Sequence, residues 1–397
     1  MNRNFGRWRP CPICGSREKS TLAALTYALF DDSPLHPQCD IVGCTFCGCC
    51  YANSRVSEKA LNTYYKQNAY YFSATTTGSG GNSLADCARF EHTAQCIARH
   101  CRSSSSPIFD IGCGKGGLLD ALKAQGFTNL FAVDPLKECC TFVAANGYRV
   151  GSGSARRLPF TEHVPGVLVY SHVLEHLLEP AQALAHAHNR LTDSGLVYLE
   201  VPDALHYGTY VSPPLAELYM EHLIHFDRHH LDMLAARCGF EPVETGSKIL
   251  DVNGRPSAPC LYGIYRKSSH TPPAAPGNEA LKASLLRYLN TGFASPLFNR
   301  FNALAASRTP LHIWGISQYA QLLLGSTKLS ACTLASMVDG DTHKQSKTIG
   351  GMPIQSPEAL VGAKRGDAIL LTGIHYQEQM RAFLRQIDFK GEEIVVE

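Results

Sequence analysis

No apolar stretch in the chain approaches the roughly 20 consecutive apolar residues needed to cross a bilayer. An excess of one charge is also missing: 36 lysines and arginines against 34 aspartates and glutamates leave a formal charge of +2. That balance gives no electrostatic case for nucleic acid or an anionic membrane as a partner. Residues 1–9 are basic, but no apolar segment follows them, so a secretory signal is not expected. The expected compartment is cytoplasmic, where thiols stay reduced. Cysteine, by contrast, is plentiful, with 16 residues. In a small secreted protein that number implies disulfides; in 397 residues without a signal it implies free thiols and a metal site. A chain this long exceeds one compact core, and two or three domains are expected.

Cys11-Pro12-Ile13-Cys14-Gly15 is a C-x-x-C knuckle, and Cys44-Thr45-Phe46-Cys47-Gly48 is a second. Two such turns present four thiolates in the tetrahedral set that Zn²⁺ takes in closed structural sites. The glycine after each second cysteine fits the turn. With every position filled by Cys11, Cys14, Cys44 and Cys47, the metal would be structural and not catalytic. Cys39, Cys49 and Cys50 lie close enough in sequence to replace one member. Apolar runs at 21–30 and 40–42 predict a small hairpin between the knuckles. Residues 57–61 predict a capped helix, followed by Tyr64, Tyr65, Tyr70, Tyr71 and Phe72. Most of these rings are expected to pack against the main domain, with Tyr71 over the substrate. Residues 75–83, rich in Thr, Gly and Ser, read as a connector or lid.

At Pro107-Ile108-Phe109-Asp110-Ile111-Gly112-Cys113-Gly114-Lys115-Gly116-Gly117 a short apolar run ends in an acid and breaks into glycines. An amphipathic pattern follows (Leu118, Leu119, Leu122), which predicts strand, tight turn and helix start. Glycine lets the backbone turn sharply and lets a ligand approach with no Cβ in the way. The free N–H groups of the helix start then face a negative group. Gly112, Gly114 and Gly117 fit the G-x-G-x-x-G spacing of dinucleotide binders, with Asp134 at the distance expected of a ribose-binding acid. From 107 to about 267, apolar runs alternate with amphipathic ones, which predicts a doubly wound α/β domain. Later strands are expected at 129–133, 148–150, 167–170 and 196–201, with Ser171 to His176 at the carboxyl end of the fourth. Ligands bind at that edge of an open parallel sheet. A Pro-rich stretch at 268–277 marks a boundary. Beyond it, 311–315, 335–339 and 368–372 read as strands of a second, smaller α/β unit.

The run from Asp110 to Gly116 resembles motif I of the class I S-adenosylmethionine (SAM) methyltransferases, where the acid stands two residues before the first glycine. An anion there would repel a pyrophosphate and suits a ligand with an ammonium and a sulfonium. That favours SAM over a nicotinamide dinucleotide. Val133-Asp134-Pro135, Leu158-Pro159-Phe160, His172 to His176 and Gly195 to Pro202 resemble the successive motifs, in order. Tyr219-Met220-Glu221-His222 and Cys238-Gly239-Phe240 continue the resemblance. With the knuckles, and with Asp339, Lys344, Lys347, Gly350-Gly351 and Pro353-Ile354 near the end, the whole chain looks like the three-part C-methyltransferase family acting on nucleotide-linked deoxysugars.

That resemblance implies a zinc-binding N-terminal domain (1–73), a class I SAM-methyltransferase domain (84–267) and a Rossmann-like C-terminal domain (278–397). It implies cofactor contacts from Asp110, Gly112, Gly114, Gly116, Asp134, Pro135, Ser154, Ala155 and Ser171, with Asp134 at the ribose and Ser154-Ala155 beside the adenine. His222 would be the general base, oriented by Glu221, with Tyr219, His176 and Tyr71 at the enolate or at substrate hydroxyls. The turn Gly315-Ile316-Ser317-Gln318-Tyr319 departs from the small-residue loop of the family, and its bulk would block close phosphate approach.

Methyl transfer from a sulfonium is an in-line displacement whose rate comes mostly from alignment. A carbon nucleophile also needs a base for an acidic proton next to a carbonyl, and donors for the enolate. Histidine, with an unperturbed pKa near ~6.5, is largely neutral at cytoplasmic pH and suited to that task. A Glu-His pair at this place also occurs in methyltransferases of other specificity, where the histidine only seals the pocket. Three readings stand: a C-methyltransferase on a ketosugar nucleotide, an O- or N-methyltransferase on another small metabolite, and a SAM-binding partner protein without catalysis. His186, His188, His225, His229 and His230 fall on helical or loop patterns with no partner in view, and neither the sugar nor the oligomeric state can be read from sequence.

Overall fold

The computed structural model describes residues 8–67, 84–209, 213–252, 255–269, 277–374 and 376–396. Tyr71, the 75–83 connector and most of the 268–277 stretch lie outside the described residues. The first elements are β1 (Lys19–Ala23), β2 (Cys39–Cys44), β3 (Cys50–Ser54), α1 (Glu58–Gln67) and α2 (Leu84–His100). Then come β4 (Ile108–Ile111), α3 (Gly117–Ala124), β5 (Leu130–Asp134), α4 (Lys137–Ala145), β6 (Arg149–Ser152) and β7 (Val167–Ser171). The chain continues through α5 (Pro180–Arg190), β8 (Leu196–Pro202), β9 (Ile224–His225), α6 (Arg228–Arg237), β10 (Phe240–Val252) and β11 (Arg255–Lys267). It ends with α7 (Ala280–Phe293), α8 (Pro296–Ser307), β12 (Pro310–Trp314), α9 (Gln318–Ser326), β13 (Thr333–Val338), β14 (Thr348–Ile349), β15 (Met352–Gln355), β16 (Ala368–Leu371), α10 (Gln377–Gln386) and β17 (Glu392–Val395).

The central sheet has the order β10-β11-β8-β7-β4-β5-β6. Its strands β4 to β8 run parallel, and β11 is antiparallel to both neighbours. Strands β4 and β5 are buried at every position, as expected of parallel strands covered on both faces. Alternation of side chains sends Phe109, Phe131, Leu168 and Leu199 to one face. Ile108, Ala132, Val169 and Tyr198 go to the other, where α2 and α3 pack over them. From β4 the chain winds outward through β5 to β6, then crosses back to β7 on the other side of β4. The loops after β4 and β7 therefore part at the carboxyl edge of the sheet, and ligand crevices open at such reversals.

The sequence predicts a hairpin between the knuckles, and the structure extends it. Strands β1, β2 and β3 form an antiparallel sheet, and β9 from the central unit joins its edge, pairing Cys50 with His225 and Tyr51 with Ile224. An open edge offers unpaired N–H and C=O groups, and β9 covers this one. The third sheet, β14-β15-β13-β12-β16-β17, is parallel from β15 through β17, with β14 as an antiparallel edge. No helix among the described residues is long and apolar enough to cross a membrane.

The first and third sheets are joined directly. The Asp31 carboxylate accepts from Gly350 N at 2.8 Å, Gly351 N at 2.9 Å and Thr348 Oγ1 at 2.6 Å. At Gly325 any Cβ would stand 2.2 Å from the Thr26 carbonyl oxygen, so only glycine permits that approach. Tyr27, 2% exposed, donates its hydroxyl to the Leu218 carbonyl at 2.7 Å and so ties the N-terminal sheet to the segment before His222. Tyr27→Phe leaves that carbonyl without its donor and is expected to cost about 1–3 kcal/mol in urea unfolding. A loss within experimental error would mean the bond contributes nothing.

Candidate active site

β4 ends at Ile111, and three glycines with positive φ turn the chain into α3: Gly112 (76°), Gly114 (52°) and Gly116 (82°). A Cβ on Gly112 would lie 2.8 Å from Val173 Cγ2, so the loop after β4 meets the loop after β7 only with glycine there. Asp134, at the end of β5, accepts from Gly114 N through Oδ2 at 3.0 Å and from Leu136 N through Oδ1 at 2.8 Å. Each oxygen keeps a lone pair, which suits two hydroxyls of a ribose. Asp110 is 4% exposed, and burial, reinforced by the nearby Asp134, pushes its carboxyl up to about 7, with Arg89 pulling the other way. Burial likewise raises Asp134 to about 6 against the two backbone N–H groups.

A cavity of about 820 Å³ opens on this edge, within the range of ligand sites. Among the predicted cofactor contacts, Asp110, Gly112, Gly114, Asp134, Pro135, Ser154, Ala155 and Ser171 line it. Gly116 does not line it; it caps α3 in left-handed conformation, facing Val143. His176, Tyr219, Glu221 and His222 line the same cavity, while Tyr71 lies outside the described residues. The N-terminal unit contributes Phe30, Tyr64 and Tyr65, and the C-terminal unit contributes Ser317, Gln318 and Lys344.

The imidazoles of His176 and His222 meet edge to face, with ring centroids 5.0 Å apart, and Tyr219 stands 5.0 Å from His222. His222 Nδ1 is buried and has no hydrogen-bond partner among the described residues. Burial, then the neighbouring His176, His225 and His172, holds His222 well below the usual histidine range, so the ring is neutral. Burial also lowers His176, whose ring is held by the Glu221 carbonyl. Its Nδ1 lies 3.2 Å from the Tyr65 hydroxyl. The Glu221 carboxylate accepts from Gln318 Nε2 across the contact with the C-terminal unit.

Sequence reasoning missed the group behind this pair. His172, with φ at 54°, places Nδ1 3.2 Å from Glu175 Oε1 and Nε2 3.1 Å from Glu200 Oε1. The Cys260 thiol is 3.6 Å from Nε2. Burial opposes a charged ring, yet Cys260, Glu175 and Glu200 raise His172 well above the usual range. Glu200 is fully buried and accepts from Tyr198 OH at 2.6 Å, Lys248 Nζ at 2.8 Å and Thr93 Oγ1 at 3.2 Å. Tyr65 was also passed over for Tyr71. Its signal was the aromatic stretch itself, which gave no way to choose among rings. Several histidines without an expected partner have one: His230 bridges Asp227 and the Cys47 carbonyl, and His188 meets the Ser268 carbonyl.

At the N-terminus the thiols of Cys11, Cys14, Cys44 and Cys47 all lie within 4.8 Å of one another. The closest pairs, Cys11–Cys47 and Cys14–Cys44, are 3.6 and 3.5 Å apart. A tetrahedron with metal–sulfur bonds of about 2.3 Å has edges of about 3.8 Å, so the four residues fit such an ion. None of the 16 cysteines is joined in a disulfide. In the C-terminal unit Asp339 accepts from Ile316 N at 2.7 Å and pairs with Lys344 Nζ at 3.0 Å.

The raised acid at 110 makes stability depend on pH. Between about pH 4 and its folded value of about 7, Asp110 keeps its proton in the folded chain and has lost it in the unfolded one. Stability then falls with rising pH, by at most about 1.4 kcal/mol per unit, and levels off once both states are ionised. Asp110→Asn removes this slope. Urea unfolding of ligand-free protein should therefore favour the variant increasingly from about pH 5 to 7. A difference that does not change with pH would count against the assignment.

Residues 88–245 match the family model for a methyltransferase domain. No curated protein matches the chain. Among solved structures, it is similar to a SAM-dependent methyltransferase from Methanosarcina mazei at 16% identity, over 44% of this chain and 98% of that one, with a TM-score of 0.38. The CcbJ methyltransferase from Streptomyces caelestis is similar at 16% identity, over 52% and 98%, with a TM-score of 0.40. A possible histamine N-methyltransferase from Thermotoga maritima is similar at 18% identity, over 46% and 91%, with a TM-score of 0.36. With the family match added to the glycine turn and the two buried acids, residues 88–245 form a methyltransferase domain.

Proposed function

We propose that the protein methylates a carbon of a small sugar-type substrate, a nucleotide-linked keto-deoxysugar, with His222 as general base. The observation that carries this reading is a neutral, half-buried imidazole that lines the same cavity as Asp110 and Asp134, its Nδ1 without a partner among the described residues. Asp110, Gly112, Gly114, Pro135 and Ser171 would hold SAM, with Asp134 on the ribose hydroxyls and Ser154 and Ala155 at the adenine. Bound SAM supplies a methyl group on a positively charged sulfur. His222 takes the proton next to the substrate carbonyl, and Glu221 fixes the peptide that carries it through Gln318. Tyr219 and His176 contact the oxygen that gains charge, Tyr65 stands beside His176, and Tyr71 would cover the substrate. Walls from the flanking units keep water from the proton transfer.

We assign the chain three parts, 1–73, 84–267 and 278–397, because each carries its own sheet. The first would hold one Zn²⁺ on Cys11, Cys14, Cys44 and Cys47, and that ion would fix the fold without touching the reaction.

Turnover with SAM and a panel of keto-deoxysugar nucleotides should give a product with a new methyl singlet on a quaternary carbon by NMR. A methyl on oxygen or nitrogen, or no product, would overturn the C-methyl reading. His222→Ala should lower kcat by about 10²–10⁴-fold with the SAM Kd little changed; unchanged turnover removes the base role. Elemental analysis should find one zinc per chain, and chelation should open the N-terminal sheet to protease. Protein without zinc that resists protease equally would refute the metal assignment.

A further inference from the structure

Glu175 sits in the short helical turn Leu174–His176 that follows β7, and it lines the cavity while fully buried, at 0% exposure. Its carbonyl accepts from Leu223 N at 2.7 Å, which clasps the turn to the segment carrying His222. Its carboxylate is left in a different condition. Neither oxygen has a hydrogen bond among the described residues. His172 Nδ1 stands 3.2 Å from Oε1, though not in hydrogen-bond geometry, and its ring is shared with Glu200. His176 Nε2 is 3.9 Å from the same oxygen. One carboxylate oxygen of Glu175 and one ring nitrogen each of His176 and His222 lie within 4.8 Å of one another.

A buried carboxylate without hydrogen bonds is costly, and other acids of this cavity region avoid the cost. Asp134 accepts from two backbone N–H groups and Glu200 from three side-chain donors. The fold thus keeps at Glu175 a negative charge that is best matched when a positive one forms nearby. His222 becomes positive when it takes a proton.

The other groups around His222 do not balance that charge. His176, His225 and His172 each oppose it. Tyr219 presents its ring, Tyr65 faces His176, and Tyr207 faces His225. The Glu221 carboxylate accepts from Gln318, the Cys260 thiol meets His172, and Lys344 pairs with Asp339. Glu217 also lines the cavity, but burial raises it to about 7, so this acid keeps its proton until neutral pH.

We infer that Glu175 supplies the negative charge that stabilises the imidazolium of His222 while the substrate proton is taken, the support that the sequence sought in Glu221. In that step the C–H bond next to the substrate carbonyl breaks and its electron pair passes to the carbonyl oxygen as an enolate. The proton forms an N–H bond on His222, and Glu175 exchanges no proton. Glu175 acts through His222 and is a positioning residue. The inference rests on His222 as base and adds to that reading the group that makes the base effective.

Steady-state kinetics across pH, on the full chain with SAM and a keto-deoxysugar nucleotide, test the assignment. Glu175→Gln keeps the shape and removes the charge. It should lower kcat by about 10²–10³-fold, with KM and the SAM Kd within about threefold, which also shows that the variant is folded. A carboxylate favours the charged form of a nearby imidazole, so its loss should move the acid limb of kcat/KM to lower pH by about one unit. Glu175→Asp, which keeps the charge, should recover part of the rate. Glu221→Gln should leave the limb in place, whatever it does to the rate. A limb that stays in place in Glu175→Gln, or that moves in Glu221→Gln instead, would overturn the inference and leave His222 as base. A wild type without turnover, or turnover unchanged in His222→Ala, would remove the base reading and this inference with it.

Discussion

Two carboxylates buried side by side set the terms for the central unit. Asp110 and Asp134 end adjacent strands at the place where the strand order reverses, and water reaches little of either. Burying an acid is costly unless it is hydrogen-bonded or stays protonated, and the fold uses both remedies. Asp134 is tied to two backbone N–H groups from the loops around it, and Asp110 holds its proton up to near neutrality. A site arranged this way is at its least comfortable when empty at neutral pH. A ligand that brings one positive charge and two hydroxyls relieves it.

His172 and His222 line the same crevice in a different electrostatic setting. His172 is held charged between two carboxylates, and His222, beyond it, is held neutral by burial and by neighbouring imidazoles. Two histidines that line one cavity thus take opposite states, because Cys260, Glu175 and Glu200 outweigh burial at His172 while burial prevails at His222. This separation of protonation states is the kind found where proton transfer is arranged. It depends on Glu200, whose carboxylate is satisfied by side chains from α2, β8 and β10.

Local features were legible in the sequence. The strands of the central sheet stood out because parallel strands covered on both faces read as unbroken apolar runs. The knuckles stood out because four cysteines came in two tight turns, and Asp134 because its distance from the glycines is fixed by one strand–helix–strand unit. Features built from distant residues did not stand out. His172 and Glu200 are 28 positions apart and Glu200 and Lys248 48 apart, and no spacing rule links them. Arg89 sits on a helix whose pattern gives its apolar face and not what lies beneath its polar residues. The two residues of β9 are too few to show a period.

The addition of β9 to the N-terminal sheet has a consequence for how the molecule can be divided. Ile224 and His225 follow His222 by two and three positions, and with Phe226 they are at most 1% exposed. A fragment starting at α2 would expose these side chains to solvent and strip the strand of its partner. The flanking module is therefore less an appendage than part of the mould in which the histidine loop is cast. Exchange of such modules between related chains would have to carry over a matching edge, or the loop would lose its shape along with its support.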